Sequence, residues 1–462
     1  MFKLNTQHLF QISSEHGISK KEFESKANLI KPYLQKIHAQ KQGFYSVIDD
    51  KNVVKSINDF AKNLKGQFDD IVVLGIGGSA LGTICLQQSL KNLFENCHSC
   101  ESRNLKSSNS KIPASAGMTE KEKNPNLHII DNIDPELISE LDQILDYKKT
   151  LFIVVTKSGS TPETLAQYFY FRQKCDNQKL NPKKHFVFIT DPKLGLLRKI
   201  ANEEKIPIFD VPENVGGRFS VLTAVGLLPA KLIGINIEKL LKGAQKMRDL
   251  FLSENFAKNL SFQIATIQYL LSKKQKTITV MMPYAQKLIK FSDWYRQLLA
   301  ESIGKAQDNN GKTINVGLTP INSLGVTDQH SQSQLYMEGP NDKFFIFIKV
   351  LNHGQKIPIP YAPELEYLKN VDFQKLLHTE MQGAMQALTK NNRPNILIEI
   401  NKIEEENLGE LFMLFEGSIA FLGEFFNINA FDQPGVELSK ILTKKLLGQK
   451  SSNRLSLRYS LL

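Results

Sequence analysis

Short runs of apolar residues alternate with stretches of helical periodicity along most of this chain. Buried strands are predicted for DIVVLGI (70–76), LHIID (127–131), TLFIVVT (150–156), KHFVFIT (184–190) and IPIFDV (206–211), because continuous apolar runs of this length are typical of strands covered on both faces. Helical patterns at 161–175 and 192–205 follow two of these runs. The alternation predicts βαβ units on a parallel sheet.

A second block of the same kind begins at KTITVMMP (276–283) and continues through TINVGLT, KFFIFIKV (343–350) and NILIEI (395–400). Helices are predicted at about 284–303, at 371–390 and from about 406. The pattern therefore predicts an α/β fold of two related domains, each a parallel sheet flanked by helices. The expected organisation is a helical N-terminal arm (1–50), a first domain (51–215), a helical connecting segment (216–275), a second domain with a C-terminal helix (276–445) and a tail (446–462).

The segment 97–126 interrupts this pattern, because it is rich in Ser, Lys and Asn and poor in apolar residues. We expect it to be a disordered surface insertion, since a connection between a helix and a strand normally takes about 2–6 residues. Its CHSC sequence has the spacing of half a zinc site, but the chain has only four cysteines and no second pair. We therefore expect no metal.

The net charge of +11 raises the question of nucleic acid. The lysines are scattered along amphipathic helices, as in KLLKGAQKMRD (239–249), so a solvated surface and no nucleic-acid partner are expected. The chain has no apolar run of the roughly 18 residues needed to span a membrane and no pattern of a signal peptide. A cytoplasmic protein without a membrane partner is the expectation.

Two glycine- and hydroxyl-rich turns carry the candidate chemistry. In VLGIGGSALG (73–82), Gly75, Gly77 and Ala80 fit the spacing of a dinucleotide-binding turn, and the position of the next strand-ending acid does not decide the matter. TKSGSTPETL (156–165) offers four hydroxyls and the Lys157 cation at the start of a predicted helix. These groups suit a compact phosphate dianion. Together the turns favour a small phosphorylated ligand over NAD, with a capped helix that binds nothing as the alternative.

Six motifs, in this order, resemble those of the glucose-6-phosphate isomerase family: GIGGSALG, TKSGSTPET, ENVGGRFSVLTAVGLLP, QLLAESIGK, DQHSQSQL and FDQPGVELSK. They span about residues 75–440, and the chain resembles the shorter bacterial form. The resemblance implies two sugar-isomerase domains, a homodimer, and neither cofactor nor metal. It also implies interconversion of D-glucose 6-phosphate and D-fructose 6-phosphate through a cis-enediol, a step of glycolysis and gluconeogenesis.

The resemblance assigns roles to single residues. Glu301 matches the general base that moves a proton between C2 and C1, and Arg218 matches the cation that stabilises the enediolate. His330, given by the neighbouring subunit, and Lys440 match the groups that open the sugar ring. The matching substrate and phosphate contacts are Gln297, Gln433, Gly78, Ser79, Thr156, Lys157, Ser158, Gly159, Ser160 and Thr161.

Two other functions stay open on the sequence alone. An isomerase that also accepts mannose 6-phosphate would use the same base. A non-catalytic sugar-phosphate sensor would keep the two phosphate turns but would not need Glu301, Arg218, His330 and Lys440 together.

Overall fold

The computed structural model describes residues 2–94 and 124–448. Most of the predicted insertion at 97–126 lies outside the described residues, as does the tail from 449 onward; Asn126 begins a strand. The strands are β1 (Lys3–Asn5), β2 (Asp70–Leu74), β3 (Asn126–Ile130), β4 (Thr150–Thr156), β5 (Phe186–Thr190), β6 (Ile208–Asp210), β7 (Ile278–Pro283), β8 (Lys305–Gln307), β9 (Thr313–Val316), β10 (Thr319–Asn322), β11 (Lys343–Val350) and β12 (Asn395–Ile400).

The helices follow the strands at the predicted places, with several short ones added. They are α1 (Lys20–Glu24), α2 (Ile30–Ala39), α3 (Lys51–Leu64), α4 (Leu81–Leu90), α5 (Pro135–Ile144), α6 (Pro162–Asn177), α7 (Pro182–His185), α8 (Leu196–Glu204), α9 (Ala224–Leu232), α10 (Ile237–Phe251), α11 (Leu260–Ser272), α12 (Ile289–Ile303), α13 (Ser333–Glu338), α14 (Phe373–Lys390), α15 (Glu405–Phe426) and α16 (Glu437–Leu446). Within the two described ranges, none of these helices combines the length and the apolar character needed to cross a bilayer.

The first sheet is formed by the five strands predicted in the first block. Its order is β3-β2-β4-β5-β6, and all pairs are parallel. Because the strands are parallel, the turns that follow β2 and β4 lie at the same edge of the sheet. The predicted α/β class with a parallel sheet is confirmed for this domain.

The second sheet has the order β1-β12-β11-β7-β10 and is parallel except for β1, which runs antiparallel to β12. Two sequence predictions are wrong here. The N-terminal arm is not purely helical, because Lys3–Asn5 adds an edge strand that is too short to show a strand pattern. Most of TINVGLT does not join the sheet: β9 (Thr313–Val316) pairs with β8 in a separate ribbon, and only the last residue of the run, Thr319, begins the sheet strand β10.

One apolar core joins the N-terminal arm, the inner faces of both sheets and the long helix α15. This core runs from Leu9 to Ala430, and nearly every residue of α15 is buried. Helices α9 to α11, predicted as a connecting segment, belong to the same core. Where α10 crosses α15, a Cβ on Gly243 would lie 1.8 Å from the Glu406 carbonyl oxygen, and one on Gly409 would lie 1.9 Å from the Leu240 carbonyl oxygen. Glycine at both positions therefore lets the two backbones touch.

Two smaller apolar clusters cover the outer faces of the sheets. On the first sheet, Val72, Phe152 and Phe186 pack beneath the helices that include Tyr168 and Leu197. On the second, strand residues pack against α13 and α14. Each sheet is thus covered on both faces, which leaves its strand ends as the exposed edge on which a site can form.

Candidate active site

The two hydroxyl-rich turns predicted from sequence lie side by side at the edge of the first sheet. Leu74 at the end of β2 is the register partner of Val154 in β4. The 3-10 turn Gly77–Ser79 follows β2 and leads into α4, and the loop at 157–161 follows β4 and leads into α6. Both turns therefore present helix N-termini, whose unpaired amides suit an anion.

The hydroxyls of the second turn form a compact group. Thr156 Oγ1 lies 2.6 Å from Thr161 Oγ1 and 3.4 Å from Ser158 Oγ. The Ser160 amide donates to Ser158 Oγ over 3.3 Å. Gly159 has φ +63°, and a Cβ there would lie 2.9 Å from the Gly195 Cα, so a side chain would be both strained and crowded. Three hydroxyls, those of Thr156, Ser158 and Thr161, thus converge on a few ångströms of surface, and Ser160 Oγ donates to the Ser158 carbonyl oxygen at 3.2 Å.

Lys157 ties this turn to the loop that carries Arg218. Its Nζ donates to the carbonyl oxygens of Val215 (2.7 Å) and Glu213 (3.0 Å). Burial lowers the pKa of Lys157, against the opposing effect of the Asp191 and Glu213 carboxylates. The ammonium is therefore held against the 213–215 segment and partly removed from water.

The turn at Gly77–Ser79 touches both other parts of the site. A Cβ on Gly78 would lie 2.3 Å from the carbonyl carbon of Gly217, so the two backbones meet directly. A Cβ on Gly77 would lie 3.0 Å from Gln297 Nε2. The turn thus joins the Arg218 loop to helix α12, and only glycine permits such an approach.

Glu301 lies in the last turn of α12 with its carboxylate between two donors. Its Oε1 accepts a hydrogen bond from Gln297 Nε2 at 3.1 Å, one helical turn earlier. Its Oε2 lies 3.4 Å from Arg218 Nη1. The Glu301 side chain is 34% exposed. It is therefore an oriented carboxylate that a small molecule can still reach, as a general base requires.

Arg218 is buried and connects several segments of the chain. The residue is 3% exposed. Its guanidinium donates to Ser302 Oγ (2.7 Å), Gln433 Oε1 (2.9 Å), Glu301 Oε2 (3.4 Å) and the carbonyl oxygens of Ala430 (2.6 Å) and Asp432 (3.1 Å). Burial lowers the pKa of Arg218, while the charges of Glu301 and Asp432 raise it. A fixed cation in such surroundings can stabilise an oxyanion more than the same cation in water.

Contacts therefore bring Glu301, Arg218, Gln297, Gln433 and Gly78 into one group. The neighbouring turn carries the hydroxyl residues Thr156, Ser158, Ser160 and Thr161. Lys157 lies in the same turn. Gly75 directly follows β2 and comes just before the Gly77–Ser79 turn. It is close to Ser79: a Cβ on Gly75 would lie 3.0 Å from the Ser79 Cβ and 3.2 Å from the Val155 carbonyl oxygen.

Two predicted residues are not joined to this group. His330 is exposed at the end of the 3-10 turn Thr327–His330 of the second domain, and within the described part of the chain it makes no side-chain hydrogen bond or ion pair. Lys440 is on α16, where its Nζ pairs with Glu437 Oε1 at 2.8 Å and its side chain is 55% exposed. Neither contacts Glu301 or Arg218 within a single subunit.

The structure adds residues that the sequence did not single out. Ser302 and the Asp432 carbonyl bind Arg218. Lys305 donates to the carbonyl oxygens of Glu301 and Asp432. Lys305 is the last residue of the motif QLLAESIGK and follows the predicted helix after one glycine. Only the folded chain shows that this lysine is buried.

Comparisons with known proteins place these features in a family. The sequence pattern of the phosphoglucose isomerase family matches residues 111–459. The glucose-6-phosphate isomerase of Carboxydothermus hydrogenoformans is 42% identical over 404 residues, which cover 86% of this chain and 82% of that protein. The glucose-6-phosphate isomerase of Methanocaldococcus jannaschii is 33% identical over 446 residues, which cover 96% of this chain and 98% of that protein.

Solved structures share the fold. A hypothetical protein from Thermus thermophilus superimposes with a TM-score of 0.83 at 30% identity, covering 97% of this chain and 100% of that one. A glucose-6-phosphate isomerase from Chlamydia trachomatis superimposes with a TM-score of 0.77 at 21% identity, covering 94% and 87%. The family match and the named relatives identify an enzyme of the sugar-isomerase class. The chain belongs to the phosphoglucose isomerase family.

Proposed function

We propose that this chain interconverts D-glucose 6-phosphate and D-fructose 6-phosphate. The observation that carries the proposal is the reachable Glu301 carboxylate 3.4 Å from the buried Arg218 guanidinium. Interconversion of an aldose and a ketose needs a base that reaches C1 and C2 and a cation that stabilises the enediolate between them. The family relationship and the names of the relatives support the same substrate pair.

The phosphate would be held by the hydroxyl group of the second turn, by Ser79 and by the Lys157 charge. Thr156, Ser158 and Thr161 lie within 3.4 Å of one another, as a site for one small dianion requires. An anchored phosphate fixes C1 and C2 against Glu301 and so removes the entropy cost of orienting the open sugar. Gln297, which binds Glu301, and Gln433, which binds Arg218, would contact the sugar.

Proton transfer then follows from the positions of the charges. Glu301 takes the proton from C2 of the open aldose, and Arg218 stabilises the negative charge that develops on the oxygen. Protonated Glu301 returns the proton to C1, and the hydroxyl proton of O2 passes to O1, which yields the ketose. No group other than Glu301 has to exchange a proton with carbon in this step.

Ring opening would use His330 and Lys440. Because neither contacts Glu301 within one subunit, we propose a homodimer in which His330 comes from the partner subunit. An apolar surface supports this: the segment 351–373 with helices α13 and α14, here called the hook surface. It exposes Leu335 (48%), Tyr361 (58%), Tyr367 (78%) and Phe373 (57%). A groove of about 620 Å³ in it is lined by Gln329 and Ser333, which flank His330 closely in sequence.

A contiguous exposed apolar surface of this kind often marks a site of protein–protein interaction. A second copy of the chain is the partner that would use it for the proposed reaction. We also propose that the enzyme works in the cytoplasm, where hexose phosphates are made and used.

A single assay tests the function. Purified protein receives fructose 6-phosphate, and the glucose 6-phosphate formed is followed with an NADP-dependent dehydrogenase; mannose 6-phosphate is supplied in a parallel reaction. We expect turnover with fructose 6-phosphate, and turnover with mannose 6-phosphate as well would identify the isomerase of broader specificity. Folded protein that converts neither sugar would contradict the proposal.

A further inference from the structure

Lys305 is a buried cation next to the proposed base. It follows α12 after Gly304 and begins β8. Its side chain is 6% exposed. The ammonium donates to the Glu301 carbonyl oxygen at 2.7 Å and to the Asp432 carbonyl oxygen at 3.0 Å. It therefore joins the end of the helix that carries Glu301 to the loop that carries Gln433.

The charged groups that face Lys305 are Asp432, Arg218 and Glu301. Asp432 Oδ1 lies 3.7 Å from its Nζ. Burial and, after it, the Arg218 charge lower the pKa of Lys305 to about 8, although the Asp432 and Glu301 charges raise it. Lys305 and Arg218 are therefore two neighbouring cations in a region with little access to water.

Two cations also share one acceptor. The carbonyl oxygen of Asp432 accepts from Lys305 Nζ at 3.0 Å and from Arg218 Nη2 at 3.1 Å. The next residue, Gln433, accepts from Arg218 Nη1 at 2.9 Å. The loop at 430–433 is thus fixed from both sides, so the positions of Gln433, Arg218 and Glu301 depend on one another.

Stability alone does not explain this arrangement. A second buried cation beside an arginine costs solvation energy and repels its neighbour, and apolar residues of similar volume are often at least as stable in such places. What the lysine provides, and an apolar residue does not, is a fixed distance between the Glu301 backbone and the 430–433 loop.

We propose that Lys305 is a positioning residue for the isomerisation, holding the end of α12 against the 430–433 loop so that the Glu301 carboxylate and the Arg218 guanidinium face the same carbon atoms. The inference rests on the proposed function. It implies that the charged form of Lys305 is the active one. Activity should therefore fall as pH rises through the pKa of Lys305, which is about 8.

Lys305→Met keeps the length of the apolar stem and removes the charge. Because misplacing reacting groups by about 1 Å can cost as much as 100-fold in rate, we expect kcat to fall by about 10- to 100-fold, with KM for fructose 6-phosphate changed by less than about threefold. Lys312→Met, on an exposed lysine of the neighbouring loop, is the matched control and should leave kcat and KM unchanged. Melting temperatures report whether each variant folds.

The pH profile separates positioning from structural support. In the wild-type enzyme kcat should decline above about pH 8, because the folded-state pKa of Lys305 is about 8. Lys305→Arg should recover most of the neutral-pH kcat lost in Lys305→Met, and its alkaline decline should disappear, because arginine stays charged there. Asp432→Asn removes a charge that raises the pKa of Lys305, so its alkaline decline should move to lower pH.

The outcomes are separable. A wild-type protein that does not turn over hexose phosphate refutes the proposed function itself. An active wild type with Lys305→Met within twofold of it, or with an alkaline decline that Lys305→Arg and Asp432→Asn both leave in place, overturns the inference about Lys305. If Lys305→Met does not fold, the shift in Asp432→Asn decides.

Discussion

Arg218 contacts two separate parts of the chain with one guanidinium. It reaches Glu301 and Ser302 at the end of α12 and the 430–433 loop near the end of the second domain. Its partner Glu301 is 83 residues away in sequence. No spacing rule connects two residues so far apart, so their pairing could be expected only from the family resemblance. The alternation of apolar runs, in contrast, was sufficient to predict the five strands of the first sheet.

Replacing Glu301 with glutamine separates catalysis from binding. Glutamine keeps the size of the side chain but cannot accept a proton from carbon. Because a general base contributes about 10²- to 10⁴-fold, we expect Glu301→Gln to lose about 10²- to 10⁴-fold in kcat. Binding of hexose phosphate, measured as a thermal shift with and without ligand, should stay close to that of the wild type.

Glu203→Gln on the exposed face of α8 is the control, since its side chain is 62% exposed. It should leave kcat unchanged. A Glu301→Gln protein that binds no hexose phosphate would show that the carboxylate serves binding and would contradict a purely catalytic role.

Among the elements, α15 shows what apolar pattern predicts and what it does not. A helix from about residue 406 was expected, and it begins at Glu405 and is buried along nearly its whole length. The sequence did not show that it would be the centre of the whole core, because the number of neighbours of a helix is a property of the tertiary packing. The short strand β1 escaped prediction for the related reason that three residues carry no periodicity.

Glu416 in the middle of α15 should make stability depend on pH. It is 0% exposed, and neither carboxylate oxygen has a hydrogen-bond partner within the described residues. Burial raises the pKa of Glu416 well above 4.5. The folded protein therefore keeps a proton that the unfolded chain releases above about pH 4.5, and stability falls as pH rises from there, by up to about 1.4 kcal/mol per pH unit.

Glu416→Gln removes this titration. We expect the variant to be more stable than the wild type at pH 7 and closer to it at pH 4.5, as measured by urea unfolding at each pH. Glu203→Gln should follow the wild-type curve. An unfolding free energy of Glu416→Gln that tracks the wild type across this range would mean that the carboxyl is charged or paired in the folded protein.

At the scale of the whole molecule, His330 and Lys440 lie apart from Glu301 and Arg218 within one subunit. His330 lies on the second domain beside the hook surface and makes no side-chain hydrogen bond in the described chain. The sequence alone could not assign a partner to the hook surface or to the exposed α16. An apolar residue in a loop gives the same sequence pattern whether it faces water or a second subunit. A homodimer gives both features a use.

Mixing two inactive variants tests whether the site is shared. Glu301→Gln and His330→Ala should each be inactive alone. If His330 crosses the interface, random exchange of subunits forms mixed dimers with one intact site, and roughly one quarter of the wild-type activity should return. Absence of any recovery in a mixture shown by mass spectrometry to contain mixed dimers would place His330 and Glu301 in the same subunit.

The position of α15 has a consequence for the order in which the protein can fold during synthesis. The core that joins both sheets runs from Leu9 to Ala430, and β1 pairs with β12 across almost the full chain length. A ribosome that has released the first sheet has therefore not yet made the helix at the centre of its core. The core that this sheet shares with α15 is complete only after roughly two hundred further residues, at about 5–20 residues per second. Apolar residues of this core are exposed to chaperones for several seconds during synthesis. The order of the elements along the chain therefore sets the period in which the risk of aggregation is greatest.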